Sequence, residues 1–221
     1  TSSHRPLILF MISFNLFGIP VRIEPWFWIT MAFIGGGLSA NDSLSILLVF
    51  VFMLAGFISI LIHELGHALT VRKFGLPTAI TLRAFGGYAT YPAGRLDRKQ
   101  SFLVTAAGPT LQLTLGILLL VVSYFVAIPA ESLLKALFLY LIQISIIWAI
   151  LNCLPIYPMD GGQMLAAALG PKRSHYVHLI GALCAVIIGL AAFSLLQTWL
   201  LPLFMALFAW QNWQAFQQRA N

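Results

Sequence analysis

The sequence is most constrained at residues 45–73, where a long apolar run is followed at once by a polar group. Residues 45–62 contain no ionisable side chain, and His63, Glu64 and His67 come directly after them. A helix that is apolar on every face lies in lipid or in an equally apolar core. Ionisable side chains are costly there and are tolerated where they bind or convert something. The segment therefore predicts a membrane helix that carries a functional site.

The spacing of the two histidines indicates a metal site. His63 and His67 lie four positions apart, which on an α-helix separates them by about 40° around the axis and about 6 Å along it. Their imidazoles can therefore converge on one ion, and His-Glu-x-x-His is a pattern with which helices bind zinc. Glu64 is turned away from the ligands, so its carboxylate is free to take a proton from a water molecule at the metal. The alternative is an interfacial group of three polar residues with no ligand.

The composition of the chain is that of a polytopic membrane protein. Of its 221 residues 60% are apolar and 8% are charged, and the mean hydropathy is +0.93. These values exclude an ordinary soluble domain. The net charge of +6 needs no nucleic-acid partner, because basic residues mark the cytoplasmic side of membrane proteins. In a six-span arrangement 11 of the 12 basic residues fall on one side, with Lys135 alone on the other. We therefore expect both termini in the cytoplasm, and the compact chain favours a prokaryotic cytoplasmic membrane.

Apolar runs and their breaks predict an all-α membrane protein with six transmembrane helices and a small β-sheet at the membrane surface. We expect residues 1–221 to form a single domain. The predicted helices are 25–38, 44–73, 101–128, 131–151, 174–197 and 199–216. Alternating short runs within 8–24 predict surface strands, and β-branched and aromatic residues around two glycines predict a hairpin at 78–91. Polar residues interrupt the first apolar run, so we expect no cleavable signal peptide.

A zinc site with two histidines needs at least one more protein ligand, and Asp160 is the candidate. Apart from Glu64, it is the only acidic residue inside an apolar region of the sequence. The prolines and glycines around Asp160, in LNCLPIYPMDGGQML, predict non-helical backbone, which at membrane depth lines a cavity or is buried in protein. Alternatively, Asp160 is the N-cap of a short surface helix at 161–169, with Gln163 completing a capping box. One carboxylate can serve in both roles.

The two polar motifs together resemble the site-2 protease family of intramembrane zinc metalloproteases. The residues that carry the resemblance are His63-Glu64-Leu65-Gly66-His67 and Asn152-x-x-Pro155-x-x-Pro158-x-Asp160-Gly161. The hairpin glycines Gly86-Gly87 and the stretch Ala107-Gly108-Pro109 extend it over most of the chain. One departure is Gln112, where the family is expected to have Asn; both amides can form the same kinds of hydrogen bond.

The resemblance implies a role for each of the motif residues. His63, His67 and Asp160 are expected to bind one zinc ion, Glu64 to activate water, and Asn152 to hold or polarise the scissile peptide. The implied reaction is hydrolysis of a peptide bond in or near a transmembrane helix of another membrane protein, inside the lipid bilayer.

The hairpin is expected to hold the substrate. The carbonyl groups of a helix are bonded within that helix, so a substrate helix must unwind before it is cut. An unwound strand can bond to an open strand edge. We therefore expect Gly86, Gly87 and Tyr88 to contact the substrate, and the sequence makes no prediction of oligomeric state.

Other interpretations remain open from the sequence. A catalytically silent relative that binds membrane helices would lack a ligand or the base, and none is missing here. A metal or proton transporter would carry ionisable residues in several spans, whereas here they are confined to two. His175 and His178 are expected to be interfacial residues rather than metal ligands, and Cys153 is expected to be a packing thiol.

Overall fold

The computed structural model describes residues 11–196 and 199–220. The strands in these residues are β1 (Ile12–Leu16), β2 (Ile19–Ile23), β3 (Ala79–Arg83) and β4 (Gly86–Thr90). The helices are α1 (Pro25–Ile34), α2 (Ser43–Lys73), α3 (Arg98–Phe125), α4 (Leu133–Asn152), α5 (Asp160–Leu169), α6 (Ser174–Leu196) and α7 (Leu200–Ala220), with a 3-10 turn at Pro171–Arg173. Positions 8–10 of the predicted strands and position 197 of a predicted helix lie outside the described residues.

The chain is a mostly helical integral membrane protein with a small sheet. Four segments of the described part are long and apolar enough to cross a membrane, namely α2, α3, α4 and residues Pro171–Leu195. Helix α1 has 10 residues and is therefore about 15 Å long, half the thickness of a bilayer core of about 30 Å. Helix α7 has 21 residues, and amide side chains follow one another through its second half. Six transmembrane helices therefore stay a prediction.

Two helices differ from the sequence prediction for local reasons. Helix α1 ends at Ile34, whereas the predicted helix ended at residue 38. Three glycines follow Ile34, and Gly36 has a φ of +87°, a backbone conformation that residues with a side chain rarely adopt. Helix α3 runs from Arg98 to Phe125 and includes Pro109, whereas the predicted helix was 101–128. Helix α5 corresponds to the short helix that the sequence offered as an alternative at 161–169.

Helix α2 has a defined start and end, which fix where its polar residues lie. The carboxylate of Asp42 accepts hydrogen bonds from the backbone N–H of Leu44 and Ser45, at 2.8 and 3.0 Å. The Ser45 hydroxyl in turn accepts from the backbone N–H of Asp42 at 3.1 Å, which completes a capping box. The helix ends at Lys73, and Gly75 with a φ of +76° turns the chain away.

The described residues form two compact units. The first contains residues 11–93 and 110–149, and the second contains residues 94–109, 150–196 and 199–220. Whether the chain behaves as one domain stays a prediction.

The four strands of the first unit form one sheet in the order β1-β2-β3-β4. The pairs β1–β2 and β3–β4 are antiparallel, and β2 and β3 are parallel, with Val21 opposite Ile80. Alternate residues of β2 are buried, as expected for a strand with one face against a core. That core combines sheet and α2 side chains, among them Val21, Leu82, Ile60, Leu65 and Ala68. The sheet therefore packs on the part of α2 that carries the histidines.

The second unit is built on α6 and α7, which pack along each other. Ile156, from the chain before α5, is fully buried in a cluster with Ala185 of α6 and Met205 of α7. The non-helical segment before α5 is thereby fixed to the two helices.

Candidate metal centre

The two histidines of α2 turn the same ring nitrogen towards each other. The Nε2 atoms of His63 and His67 are 3.0 Å apart, and the rings are inclined at 79°. Two nitrogen ligands of one tetrahedral zinc ion lie about 3.3 Å apart, since each Zn–N bond is about 2.0–2.1 Å long. Two bare nitrogen lone pairs repel each other at such a distance, so the arrangement is stable only with a proton or a metal cation between them. The pair fits a single metal ion.

Both rings are enclosed by protein. His63 is 5% exposed and His67 is 9% exposed, on a helix long enough to cross the membrane. The Nδ1 atom of His63 lies 2.9 Å from Oε1 of Gln112, which is fully buried on α3. Burying such polar groups is costly unless they are bonded or bind something.

Glu64 lies under the hairpin of strands β3 and β4. Its side chain is 3% exposed. A Cβ atom at Gly87 of β4 would lie 2.8 Å from Cγ and 2.9 Å from Oε1 of Glu64, closer than unbonded atoms come. A methyl group there would have to displace the side chain of Glu64, that of Leu82, or the strand itself, so glycine allows the close approach of β4 to the carboxylate.

Asp160 is the first residue of α5 and is 7% exposed. The N-cap position is occupied by Met159, and no side chain caps the helix, so the alternative role of Asp160 as N-cap is wrong. Gln163 instead donates from Nε2 to the carbonyl of Pro158 at 2.9 Å. The capping box is absent because the helix begins one residue earlier than that alternative requires.

Two glycines allow the first turn of α5 to approach the preceding loop. A Cβ atom at Gly161 would lie 2.1 Å from the carbonyl oxygen of Cys153, and one at Gly162 would lie 2.4 Å from the backbone nitrogen of Tyr157. Any side chain at either position would push the helix away. The glycines after Asp160 are thus needed for the placement of that carboxylate.

The predicted ligands form a group that could hold a metal ion. They are the buried residues His63, His67 and Asp160. Two imidazole nitrogens and one carboxylate oxygen are a donor set typical of catalytic zinc.

The chain matches the model of a known peptidase family. The model of peptidase family M50 matches residues 49–136 and 126–196, which include the histidine pair and Asp160. The chain belongs to peptidase family M50, the family of the site-2 proteases.

A curated relative and a solved structure support the assignment. The chain is 29% identical over 163 residues to a zinc metalloprotease of Methanocaldococcus jannaschii, across 73% of this chain and 46% of the relative. Its structure resembles the site-2 protease from the same organism, with a TM-score of 0.60, 28% identity, and coverage of 93% of this chain and 94% of that one. The chain spans less than half the length of this relative, and 42% of a putative zinc metalloprotease of Synechocystis, to which it is 34% identical over 161 residues.

The remaining predicted site residues have defined places, while their roles stay predictions. Asn152 is the last residue of α4 and is half-buried. Gly86, Gly87 and Tyr88 lie in β4, which is an edge strand of the sheet among the described residues. Cys153, expected to be packed, is exposed.

The second histidine pair has structural contacts. His178 is 5% exposed, and its Nδ1 lies 3.3 Å from Oδ1 of Asn212 on α7. His175 stacks on Tyr176 with ring centroids 4.0 Å apart. His178 is therefore more buried than the interfacial position expected from the sequence.

Sequence reasoning missed one part of this M50 site. Gln112 donates from Nε2 to the hydroxyl of Ser59 at 2.9 Å, and Ser59 is 2.8 Å from the hydroxyl of Ser145. All three side chains are fully buried. The sequence signal that could have indicated these contacts is the polar residue Gln112 in an apolar span, together with Ser59 one helical turn before His63.

Proposed function

We propose that this chain is an intramembrane zinc endopeptidase that hydrolyses a peptide bond in or near a transmembrane helix of a membrane-protein substrate. The observation that carries the proposal is the buried histidine pair, with Nε2 atoms 3.0 Å apart, next to Glu64 on a helix long enough to span a bilayer. M50 membership and the zinc metalloprotease relative support the same activity.

His63, His67 and Asp160 would hold the zinc ion. A zinc ion there would supply a Lewis acid that lowers the pKa of water to about 7 and polarises the amide carbonyl. Glu64 is the general base: it accepts a proton from the attacking water and delivers it to the leaving amide nitrogen. Asn152 would hold or polarise the scissile carbonyl.

The hairpin would present an unwound substrate to the base. Strand β4 is an edge of the sheet, and its Gly87 lies against the Glu64 side chain. A substrate strand added to β4 would satisfy its backbone groups there and lie beside the carboxylate. Gly86, Gly87 and Tyr88 are the proposed contacts. The proposed partners are a transmembrane protein substrate and the lipid bilayer. The proposed location is a prokaryotic cytoplasmic membrane, with both termini of the chain in the cytoplasm.

The direct test is cleavage of a model single-span substrate by the purified chain in lipid nanodiscs. Glu64→Gln keeps the shape of the side chain and removes the base, so we expect product formation to fall by at least about 100-fold. Glu131→Gln makes the same change at an exposed position between α3 and α4 and is expected to cleave normally. Equal product from Glu64→Gln and the wild type would exclude the protease and favour a transporter or a silent helix-binding relative.

A further inference from the structure

A buried chain of hydrogen bonds joins His63 to the neighbouring helices of the first unit. It runs from His63 Nδ1 to Gln112 Oε1 at 2.9 Å, and from Gln112 Nε2 to Ser59 Oγ at 2.9 Å. It ends with Ser59 Oγ and Ser145 Oγ at 2.8 Å. These three hydrogen bonds thus connect α2, α3 and α4 without using a carboxylate, a lysine or an arginine.

The atoms of Gln112 determine which way the hydrogen bonds point. An amide oxygen only accepts and an amide nitrogen only donates. With Oε1 facing the ring, Nδ1 of His63 must carry a proton, and in the neutral ring this leaves Nε2 unprotonated. That nitrogen is the one that faces His67 at 3.0 Å. A reversed amide would put the proton on Nε2 and block it as a ligand.

The two serines hold the amide in this direction. Ser59 lies four residues before His63, on the same face of α2, and accepts the amide proton of Gln112. Its oxygen also lies 2.8 Å from the hydroxyl of Ser145, and either hydroxyl can be the donor of this hydrogen bond. Ser59 and Ser145 are both fully buried, where an amide without its two partners would be costly.

A glycine makes room for the third helix. Gly116 lies one turn after Gln112 on α3, and a Cβ atom there would be 3.1 Å from Cβ of Ser145 and 2.7 Å from Cγ1 of Ile146. Small residues allow helices in membranes to approach closely. The approach of α4 at this point is what brings Ser145 within reach of Ser59.

We propose that Gln112, held by Ser59 and Ser145, is a positioning residue that fixes His63 as the Nδ1–H tautomer and keeps Nε2 ready to bind the metal. The inference rests on the proposed metal-binding function of His63. A hydrogen-bond acceptor on the second ring nitrogen of a metal-binding histidine fixes ring orientation and raises its basicity as a ligand. Here a neutral amide performs that role in a place where a carboxylate would be a further buried charge.

The test uses the full chain labelled with ¹⁵N-histidine, first without metal and then with zinc. The His63 signals are assigned as those missing in His63→Ala. We expect His63 to carry its proton on Nδ1 in both states. In Gln112→Leu we expect this preference to be lost and the affinity for zinc, measured by chelator competition, to fall by about 10- to 100-fold.

Two variants separate positioning from packing. Gln112→Glu keeps an oxygen acceptor for Nδ1–H, so it is expected to retain the tautomer and most of the zinc affinity. Gln143→Leu makes the matched change at an exposed position of α4 and is expected to change neither. Should Gln112→Leu fail to fold, Ser59→Ala removes the hydroxyl that holds the amide, and the same loss of tautomer preference is expected from it.

The outcomes distinguish this proposal from the proposed function. The positioning role would be overturned if Gln112→Leu, or its replacement Ser59→Ala, kept the wild-type tautomer and zinc affinity. It would also be overturned if Gln112→Glu lost as much zinc affinity as Gln112→Leu. A wild type that binds zinc and cleaves nothing would contradict the protease while leaving the tautomer measurement valid. A wild type that binds no zinc would remove the metal site, and the tautomer in the metal-free chain would still decide whether Gln112 sets it.

Discussion

Gly87 of β4 lies against the side chain of Glu64, so closely that a methyl group on Gly87 would be 2.8 Å from Glu64 Cγ. The strand that we propose to bind the substrate is therefore in contact with the residue that we propose as the base. A change in one should alter the other.

Gly87→Ala is expected to displace Glu64 or β4 without touching a metal ligand. Because a displacement of about 1 Å can cost about 100-fold in rate, we expect cleavage of the model substrate to fall by about that factor with zinc content unchanged. Gly35→Ala is the matched control, since its methyl group would lie 2.7 Å from Phe52. Phe52 precedes Glu64 by twelve residues on α2, about 18 Å along the helix. Equal effects of the two substitutions would contradict the contact.

Asp160→Ala is expected to weaken zinc binding by more than about 100-fold, because loss of a ligand costs more than loss of a hydrogen-bond partner of a ligand. The measurement is zinc retained after dialysis against a buffered zinc solution. Asp97→Ala removes an exposed carboxylate that accepts from Gln100 N–H at 2.8 Å and should leave zinc binding intact. Wild-type retention in Asp160→Ala would show that the third ligand lies elsewhere.

Asn212→Leu is expected to destabilise the second unit. Asn212 Nδ2 donates to the carbonyls of Tyr157 and Phe208, at 2.6 and 2.8 Å, and the side chain is 2% exposed. Leaving the Tyr157 carbonyl without this donor should cost about 1–3 kcal/mol, measured by unfolding in detergent. Gln211→Leu is the control on an exposed face of α7. An unchanged unfolding midpoint for Asn212→Leu would mean that the segment before α5, which contains Tyr157, is held by other contacts.

The start of α2 should be sensitive to acid. Hydrogen bonds from the backbone and side chain of Ser45, and then from the backbone of Leu44, lower the pKa of Asp42 below its ordinary value of 3.8. The folded state therefore binds the proton less readily than the unfolded state, so the cap stabilises the protein above the unfolded pKa and is lost as the pH falls through the folded pKa.

We expect the difference in thermal midpoint between wild type and Asp42→Ala to shrink on acidification. Asp42→Asn keeps an acceptor that does not titrate, so its difference from Asp42→Ala should stay constant. If the difference in thermal midpoint between wild type and Asp42→Ala also stayed constant in acid, a contribution from the ionised Asp42 cap would be ruled out.

The sequence predicts those parts of the site that depend on local geometry. The meeting of His63 and His67 follows from a spacing of four on one helix, and Asp160 stood out because its neighbours are apolar. The hydrogen bonds of Gln112 and Ser59 could not be predicted, because they join residues 49 to 86 positions apart and depend on the rotation of three helices. The parallel pairing of β2 with β3 was missed for a similar reason: α1 and α2 lie between the two strands in the sequence, and each hairpin alone satisfies the local pattern.

The length of the capped helix α2 also has a consequence for the depth of the proposed metal site. Its 31 residues span about 46 Å, against a hydrocarbon thickness of about 30 Å, so the helix is too long for the bilayer and has to tilt or protrude. Arg72 and Lys73 lie in its last turn, and basic residues at the end of a membrane helix favour the headgroup region. His67 and His63 then lie at most about 9 and 15 Å below that surface, whatever the lipid thickness, because helical rise alone sets the depth. With the basic end at the headgroups, hydrophobic mismatch is taken up at the opposite end, and the proposed metal site keeps the same depth in thin and thick membranes.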